Sequence, residues 1–131
     1  MQVRTQLSVF LENRPGTLAA MCEALAQRGI NLLALSCADA VDHAVVRIVP
    51  DRAQDAVHVL GEAGMLVIEN DVVVADVPNV PGALGRMARR LAEAGINIEY
   101  AYCTASEAQP NGSIVLRAQE PAAVLSALSA Q

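Results

Sequence analysis

The stretch Glu12–Asn31, ENRPGTLAAMCEALAQRGIN, is written a second time as NVPGALGRMARRLAEAGIN, from Asn79 to Asn97. The offset is a constant 66 positions (79 − 13). Matching residues run through Asn13/Asn79, Pro15/Pro81, Gly16/Gly82, Leu18/Leu84, Met21/Met87, Leu25/Leu91, Ala26/Ala92, Gly29/Gly95, Ile30/Ile96 and Asn31/Asn97 to Cys37/Cys103, with no gap. Length alone makes 131 residues one domain. The repeat overrides that prior and divides the chain into two units, 1–69 and 70–131. Units of this size bury marginal cores, so each is expected to lean on its twin. Two copies are too few for a repeat array.

Each unit reads as the same series of elements. In the first, Leu7 to Leu11 is an apolar strand, broken by Arg14-Pro15-Gly16. Thr17 to Arg28 carries Leu18, Met21, Cys22 and Leu25 at helical spacing and stops at Gly29. Asn31 to Ala38 and Ala44 to Val49 are strands around a polar turn, Asp39 to His43. A second helix follows, with Asp51 as its expected N-cap and Gly61 or Gly64 as its end. Met65 to Ile68 is a short fourth strand. In the second unit the strands are Asp71 to Val77, Asn97 to Thr104 and Gly112 to Ala118, and Glu120-Pro121 opens the last helix. After Leu128 too few residues remain for a fourth strand. Either that sheet has three strands or a neighbour supplies the missing one.

The fold class is therefore α+β: two tandem ferredoxin-like β-α-β-β-α-β units, the second lacking a fourth strand of its own. Two helices cover one face of each sheet. Period-two reading puts Glu99, Ala101 and Cys103 on the outer face, with Leu33, Leu35 and Cys37 as their apolar counterparts. An apolar outer face implies burial against a second sheet, and hence a homodimer.

Composition excludes several classes. The chain is 53% hydrophobic and 18% charged, with formal net charge −5, which repels nucleic acid on average. Arg86, Arg89 and Arg90 form the densest basic group and read as the solvated face of a helix. An RNA-binding module of the same strand order needs aromatics on strand three, where Ile114, Val115 and Leu116 stand. No apolar run reaches the ~18 residues of a membrane span, and no signal peptide opens the chain. Three cysteines without metal-type spacing fit a reducing cytoplasm. His43 beside Asp42, and His58, have no counterparts in the second unit, and no Ser or Cys has an identifiable base. These readings give no enzyme, no cofactor, no metal, no nucleic acid and no membrane.

The Pro-Gly turn is where chemistry is available. First-turn amides of a helix have no intrahelical partner, and the helix dipole adds partial positive charge there. A carboxylate at Gly16-Thr17-Leu18 or Gly82-Ala83-Leu84 is held by those donors, and glycine lets it approach. Asn13 and Asn79 offer a donor and an acceptor beside the turn. Asn31 and Asn97 are expected on the same side of the sheet as the strand-one exit. Arg14 is a possible extra carboxylate contact, with Val80 in its place in the second unit. Plainer readings stand beside these. Pro-Gly is also a turn device, Gly-Ile-Asn a helix C-cap with a buried Ile, and Arg14 a solvated side chain. Cys37 and Cys103 read as small buried hydrophobes, and Tyr100 and Tyr102 as core or interface aromatics.

A strand, then N-x-P-G-x-L, an amphipathic helix, G-I-N and a second strand, occurring twice, resembles the ACT domain, a small ligand-sensing module of amino-acid metabolism. The resemblance covers nearly the whole chain and leaves no catalytic domain over. It implies a non-catalytic, allosteric sensor that binds a small amino acid between two ACT domains, through the turn and the start of strand two. The residues so implied are Asn13, Arg14, Pro15, Gly16, Thr17, Leu18, Asn31 and Leu32, and Asn79, Val80, Pro81, Gly82, Ala83, Leu84, Asn97 and Ile98. A client biosynthetic enzyme is a possible partner. The alternatives are a regulatory small subunit, as in acetolactate synthase, and a dimerisation scaffold without ligand.

Overall fold

The computed structural model describes residues 1–40 and 42–129. Val41, within the expected turn at 39–43, lies outside the described residues. The elements run β1 (Gln2–Glu12), α1 (Thr17–Gln27), β2 (Leu32–Ala40), β3 (His43–Pro50), α2 (Ala53–Glu62), β4 (Leu66–Pro78), α3 (Ala83–Glu93), β5 (Tyr100–Thr104), β6 (Asn111–Arg117) and α4 (Pro121–Ser129). The chain divides into an N-terminal unit, Thr5–Asn70, and a C-terminal unit made of Asp71–Gln131 together with Met1–Arg4.

That division answers the question of the missing strand. In the C-terminal unit the strand order is β1, β4, β6, β5, with only the first residues of β1 taking part. The fourth strand is therefore the beginning of the same chain. In the N-terminal unit the order is β2, β3, β1, β4, with Leu66–Asn70 as the fourth strand. The sequence reading separated Met65–Ile68 from Asp71–Val77. The structure makes them one strand, because Glu69-Asn70 is polar but contains neither of the residues that break a strand, Gly or Pro.

Each unit buries a core on its helix-covered face. In the N-terminal unit Leu7, Val9 and Leu11 of β1 meet Val46 and Ile48 of β3 beneath Met21, Leu25, Ala56 and Leu60. In the C-terminal unit Val73, Ala75 and Val77 meet Ile114 and Leu116 beneath Leu91 and Val124. The opposite face is not bare. Gln6, Ser8 and Val49 are buried in the first unit, and Val72 and Val115 in the second.

The Gly-Ile-Asn block is a helix stop. Gly29 takes φ +68 and donates to Ala26 O at 2.9 Å, while Ile30 donates to Leu25 O at 3.1 Å. Gly95 (φ +73) and Ile96 repeat this with Ala92 and Leu91. This is the paired 6→1 and 5→2 bonding of a Schellman cap, with the isoleucine returned to the core. Asp51 does not cap α2; the N-cap residue is Arg52. Asp51 instead accepts from the Asn31 amide at 3.0 Å and donates its own N–H to Asn31 O at 2.9 Å.

The assignment of sheet faces is inverted from the sequence reading. Leu35 pairs with Ile48, and Cys37 with Val46, so both lie on the helix side. Ala101 and Cys103 likewise pair with Leu116 and Ile114. Glu99 misled the reading because it precedes β5 and has no place in its alternation. Leu33 and Leu35 nevertheless stay exposed, at 45% and 41%, because β2 is the outermost strand of its unit. Cys37 and Cys103 are exposed on the outermost strands, not buried as read from sequence.

Two predictions follow from this architecture. Deleting residues 1–4 exposes the β4 edge of the C-terminal unit; hydrogen exchange should accelerate across Val72–Val77 while the Leu7–Leu11 amides stay protected. Leu25→Ala and Leu91→Ala, both at fully buried positions, should each cost ~2–5 kcal/mol in chemical denaturation.

Candidate functional site

Both Pro-Gly pairs place their glycine in the left-handed region, at φ +92 for Gly16 and +86 for Gly82. Only glycine takes that conformation without a Cβ penalty. Each glycine is the N-cap of its helix. Gly16 O accepts from Ala20 N at 3.0 Å, and Gly82 O from Arg86 N at 2.9 Å. The Thr17 amide turns back to Arg14 O at 3.5 Å, and the Ala83 amide to Val80 O at 3.3 Å. The next two amides, of Leu18 and Ala19 or of Leu84 and Gly85, have no carbonyl one helical turn earlier. Those are the donors a carboxylate can use.

The asparagines beside the turns are engaged. The Asn13 side-chain amide donates to Asp39 Oδ1 at 2.5 Å, and its backbone N–H to Asp42 O at 3.2 Å. The Asn79 side chain donates to Ser106 O at 2.9 Å and Gln109 O at 3.1 Å, and its backbone N–H to Pro110 O at 2.9 Å. Each therefore pins the exit of the first strand of its unit to the tip of the neighbouring hairpin. Thr17 adds a local tie, its hydroxyl lying 2.9 Å from Glu12 O and 3.1 Å from Arg14 O. Ala83 cannot repeat it.

The other expected site residues lie elsewhere. Glu12 and Ala40 both pair with His43, whereas Leu32 pairs with Pro50. The end of β2, not its start, is beside the Pro-Gly turn. Eight residues of strand separate Leu32 from Ala40, roughly 26 Å. Strands one and two are parallel, so their starts lie together and their ends lie together. Asn31 and Leu32 are thus at the far end of the sheet, with Asn31 tied to Asp51. Asn97 lines a different depression with Gly95, Glu99 and Glu120, and Ile98 faces the apolar groove along α3.

A cleft opens at each turn. In the N-terminal unit it is about 600 Å³ and is lined by Arg14, Pro15, Gly16 and Thr17 together with Glu12, Ala20, His43 and Ala63–Leu66. In the C-terminal unit the corresponding cleft is about 440 Å³, lined by Pro78, Ala83, Arg86, Met87, Arg90 and Leu128 among others. A smaller recess of about 80 Å³ holds Asn79, Val80 and Leu84 on the strand side. The sequence reading missed Glu12, His43, Arg86 and Arg90 at these walls. The i,i+4 step from Gly82 to Arg86 was the available signal, since it puts both on one helix face. Charge differs between the clefts. Arg14 Nε lies 2.6 Å from Glu12 Oε2, with both side chains exposed. That hydrogen bond and the charge of Arg14 hold the Glu12 carboxyl below the usual range; slight desolvation opposes them and His43 adds a weaker pull downward.

Among the described residues no three His, Cys, Asp or Glu side chains converge on a metal position. No helix is long and apolar enough to cross a membrane.

The family model described as an ACT domain pair matches residues 1–125. The chain is an ACT domain pair. Protein BT0572 from Bacteroides thetaiotaomicron is similar at 35% identity and TM-score 0.90, covering 97% of this chain and 87% of that one. The regulatory subunit of aspartate kinase from Thermus thermophilus, in a ligand-free form, shares the fold at 23% identity and TM-score 0.75, covering 98% and 96%. The Thermus flavus counterpart shares it at 24% identity and TM-score 0.68, covering 98% and 94%. None of the curated proteins matches the chain by sequence. ACT pairs are regulatory modules, and both Pro-Gly starts of this pair lie within the matched residues.

The Glu12–Arg14 contact gives a pH prediction. A folded-state pKa below the unfolded value favours the fold above the ordinary Glu range and ceases to do so as pH falls through the folded value. Carbon-detected NMR titration should find the Glu12 midpoint below the ordinary glutamate range, and Arg14→Ala should raise it. An unchanged midpoint in that variant would show that the ion pair does not hold in solution.

Proposed function

We propose that this ACT pair is a non-catalytic, cytoplasmic sensor that binds a small amino acid at its Pro-Gly helix starts and passes the bound state to a client enzyme of amino-acid metabolism. The observation that carries the reading is the coincidence, in both units, of a left-handed glycine at the helix start, first-turn amides without an intrahelical partner, and a cleft against the first helical residue, Thr17 or Ala83. The ligand's carboxylate would take the amides of Leu18 and Ala19, or of Leu84 and Gly85. In the N-terminal unit Arg14 and Glu12 stand at the cleft wall, where a zwitterion finds both signs of charge. In this reading the functional boundary falls at 69/70, one residue before the structural division at Asn70/Asp71. Asn31, Leu32, Asn97 and Ile98 contribute to the same ligand only if a second domain brings them to another domain's turn.

A homodimer is part of this reading. Leu33 and Leu35 on the outermost strand β2 and the apolar groove beside β5 are the surfaces that a second copy would cover. The regulatory subunit of aspartate kinase in Thermus thermophilus has this fold over nearly the same extent, which supports a regulatory role.

The test is a thermal-shift screen against the twenty amino acids. At ligand near one hundred times its dissociation constant, about 2.7 kcal/mol of added stability is expected. A Cβ at Gly16 meets nothing within 4 Å, so Val there fills open cleft, although its positive φ strains the backbone. Gly16→Val and Gly82→Val should therefore lower the baseline melting temperature yet keep the far-ultraviolet circular dichroism. Neither should respond to ligand at its own site. A full ligand response in both variants removes the turns from the site, and no shift with any amino acid at millimolar concentration leaves the scaffold reading in possession.

A further inference from the structure

The two clefts occupy equivalent places in the repeat but differ in their walls. Ala20 borders the N-terminal cleft where Arg86 borders the C-terminal one, and Ala24 is the counterpart of Arg90. The repeat therefore builds this helix without arginine in one copy, and the pair in α3 is no requirement of the fold. Arg86 and Arg90 lie one helical turn apart, so like charges face each other on one side of α3.

Their surroundings do not neutralise them. None of the ion pairs among the described residues includes an arginine of α3. Arg90 donates one N–H to Ala127 O at 3.2 Å, which leaves most of its five donors unused. Arg86 has no hydrogen bond or ion pair among the described residues. Its Nη1 lies 2.7 Å from the place a Cβ would occupy on Gly82, so the flexible guanidinium rests against the turn. Asp76 also borders the cleft, and none of the ion pairs among the described residues joins it to either arginine. The floor between the two forks is apolar, built from Ala75, Val77, Ala83, Met87 and Leu128.

We propose, deepening the reading of the two turns as ligand sites and resting on it, that the C-terminal cleft is the anion-selective one of the two: in place of the neutral amino acid taken at the N-terminal turn, Arg86 and Arg90 hold the multiply charged oxyanion head of a small organic molecule whose apolar body rests on Met87 and Leu128. Two guanidinium forks a turn apart match the several acceptor oxygens of one phosphate or two carboxylates. A volume of about 440 Å³ exceeds the needs of a bare ion and falls in the range of small-molecule sites. The N-terminal cleft, with Glu12 at its wall and alanine in place of both arginines, rejects the same ligand. The pair would then sense two chemically different effectors, one at each unit.

The test is a proton–nitrogen NMR titration of the full chain at constant ionic strength, with phenyl phosphate, succinate, inorganic phosphate and neutral phenol as probes. Saturable shifts are expected at the amides of Ala83, Met87 and Leu128 with phenyl phosphate or succinate, and none with phenol. The tighter of the two anions identifies the head group, and either result supports the site. Arg86→Ala and Arg90→Ala should each weaken binding about tenfold or more. Arg89→Ala, on the same helix but outside the cleft, should leave it unchanged. Alanine stands at both positions in the other copy and favours helix, so these variants should fold, as retained peak dispersion will show. Absence of saturable shifts, equal weakening by Arg89→Ala, or inorganic phosphate binding as tightly as phenyl phosphate overturns the proposal. The amino-acid reading fails separately, in the thermal-shift screen with neutral amino acids and Gly16→Val, because that variant lies in the other unit.

Discussion

A sheet of this size cannot leave its fourth position empty. The backbone of β4 carries N–H and C=O groups along both edges, and buried ones must be paired. In the C-terminal unit one edge is met by β6, through Val73–Leu116 to Pro78–Asn111. The other is met by residues 1–4, from the far end of the sequence. Without them the helix-covered core of Val73, Ala75, Val77 and Leu91 would end at an open strand. The first four residues thus act as structure for the unit that lies last in the chain. Met1 also lines the C-terminal cleft, as do Leu128 and Arg86. Stability and site are joined at that strand.

The same helix start recurs among different side chains because the backbone alone specifies it. Gly16 and Gly82 take nearly the same φ, and each opens a helix whose second and third amides lack partners. What varies is the side chains on the wall. Arg14 is drawn onto Glu12 in one unit, whereas Val80 leaves the other turn apolar and Arg86 supplies charge from the next helical turn. The repeat keeps the donors and changes the side chains around them. The asparagines took a mechanical part instead, holding each turn to its hairpin through Asn13–Asp39 and Asn79–Ser106.

The errors of sequence reading were geometrical. The period of the apolar residues located α1, α3 and the strands, since burial of one helix face or one strand face leaves its mark locally. The Schellman caps were legible in Gly29-Ile30 and Gly95-Ile96 for the same reason. Placing Asn31 beside Gly16 required the strand order and direction, and parallel strands put the starts, not the start and the end, together. Assigning Leu35 to a sheet face required its partner, Ile48, which the alternation of a single strand cannot name. A fourth strand at Gln2–Arg4 was hidden because QVR alternates polar and apolar side chains too briefly to register.

The sequence by itself determined the repeat, the α+β class, the family and the two glycine helix starts, because each rests on contacts between residues near one another along the chain. Only the tertiary structure decided which strand closes the C-terminal unit, which end of β2 approaches the turn, and that the solvent-exposed Arg86 and Arg90 border a cleft. Those outcomes depend on pairings between residues far apart in sequence, where backbone hydrogen bonding selects the partner and local pattern carries no record of the choice.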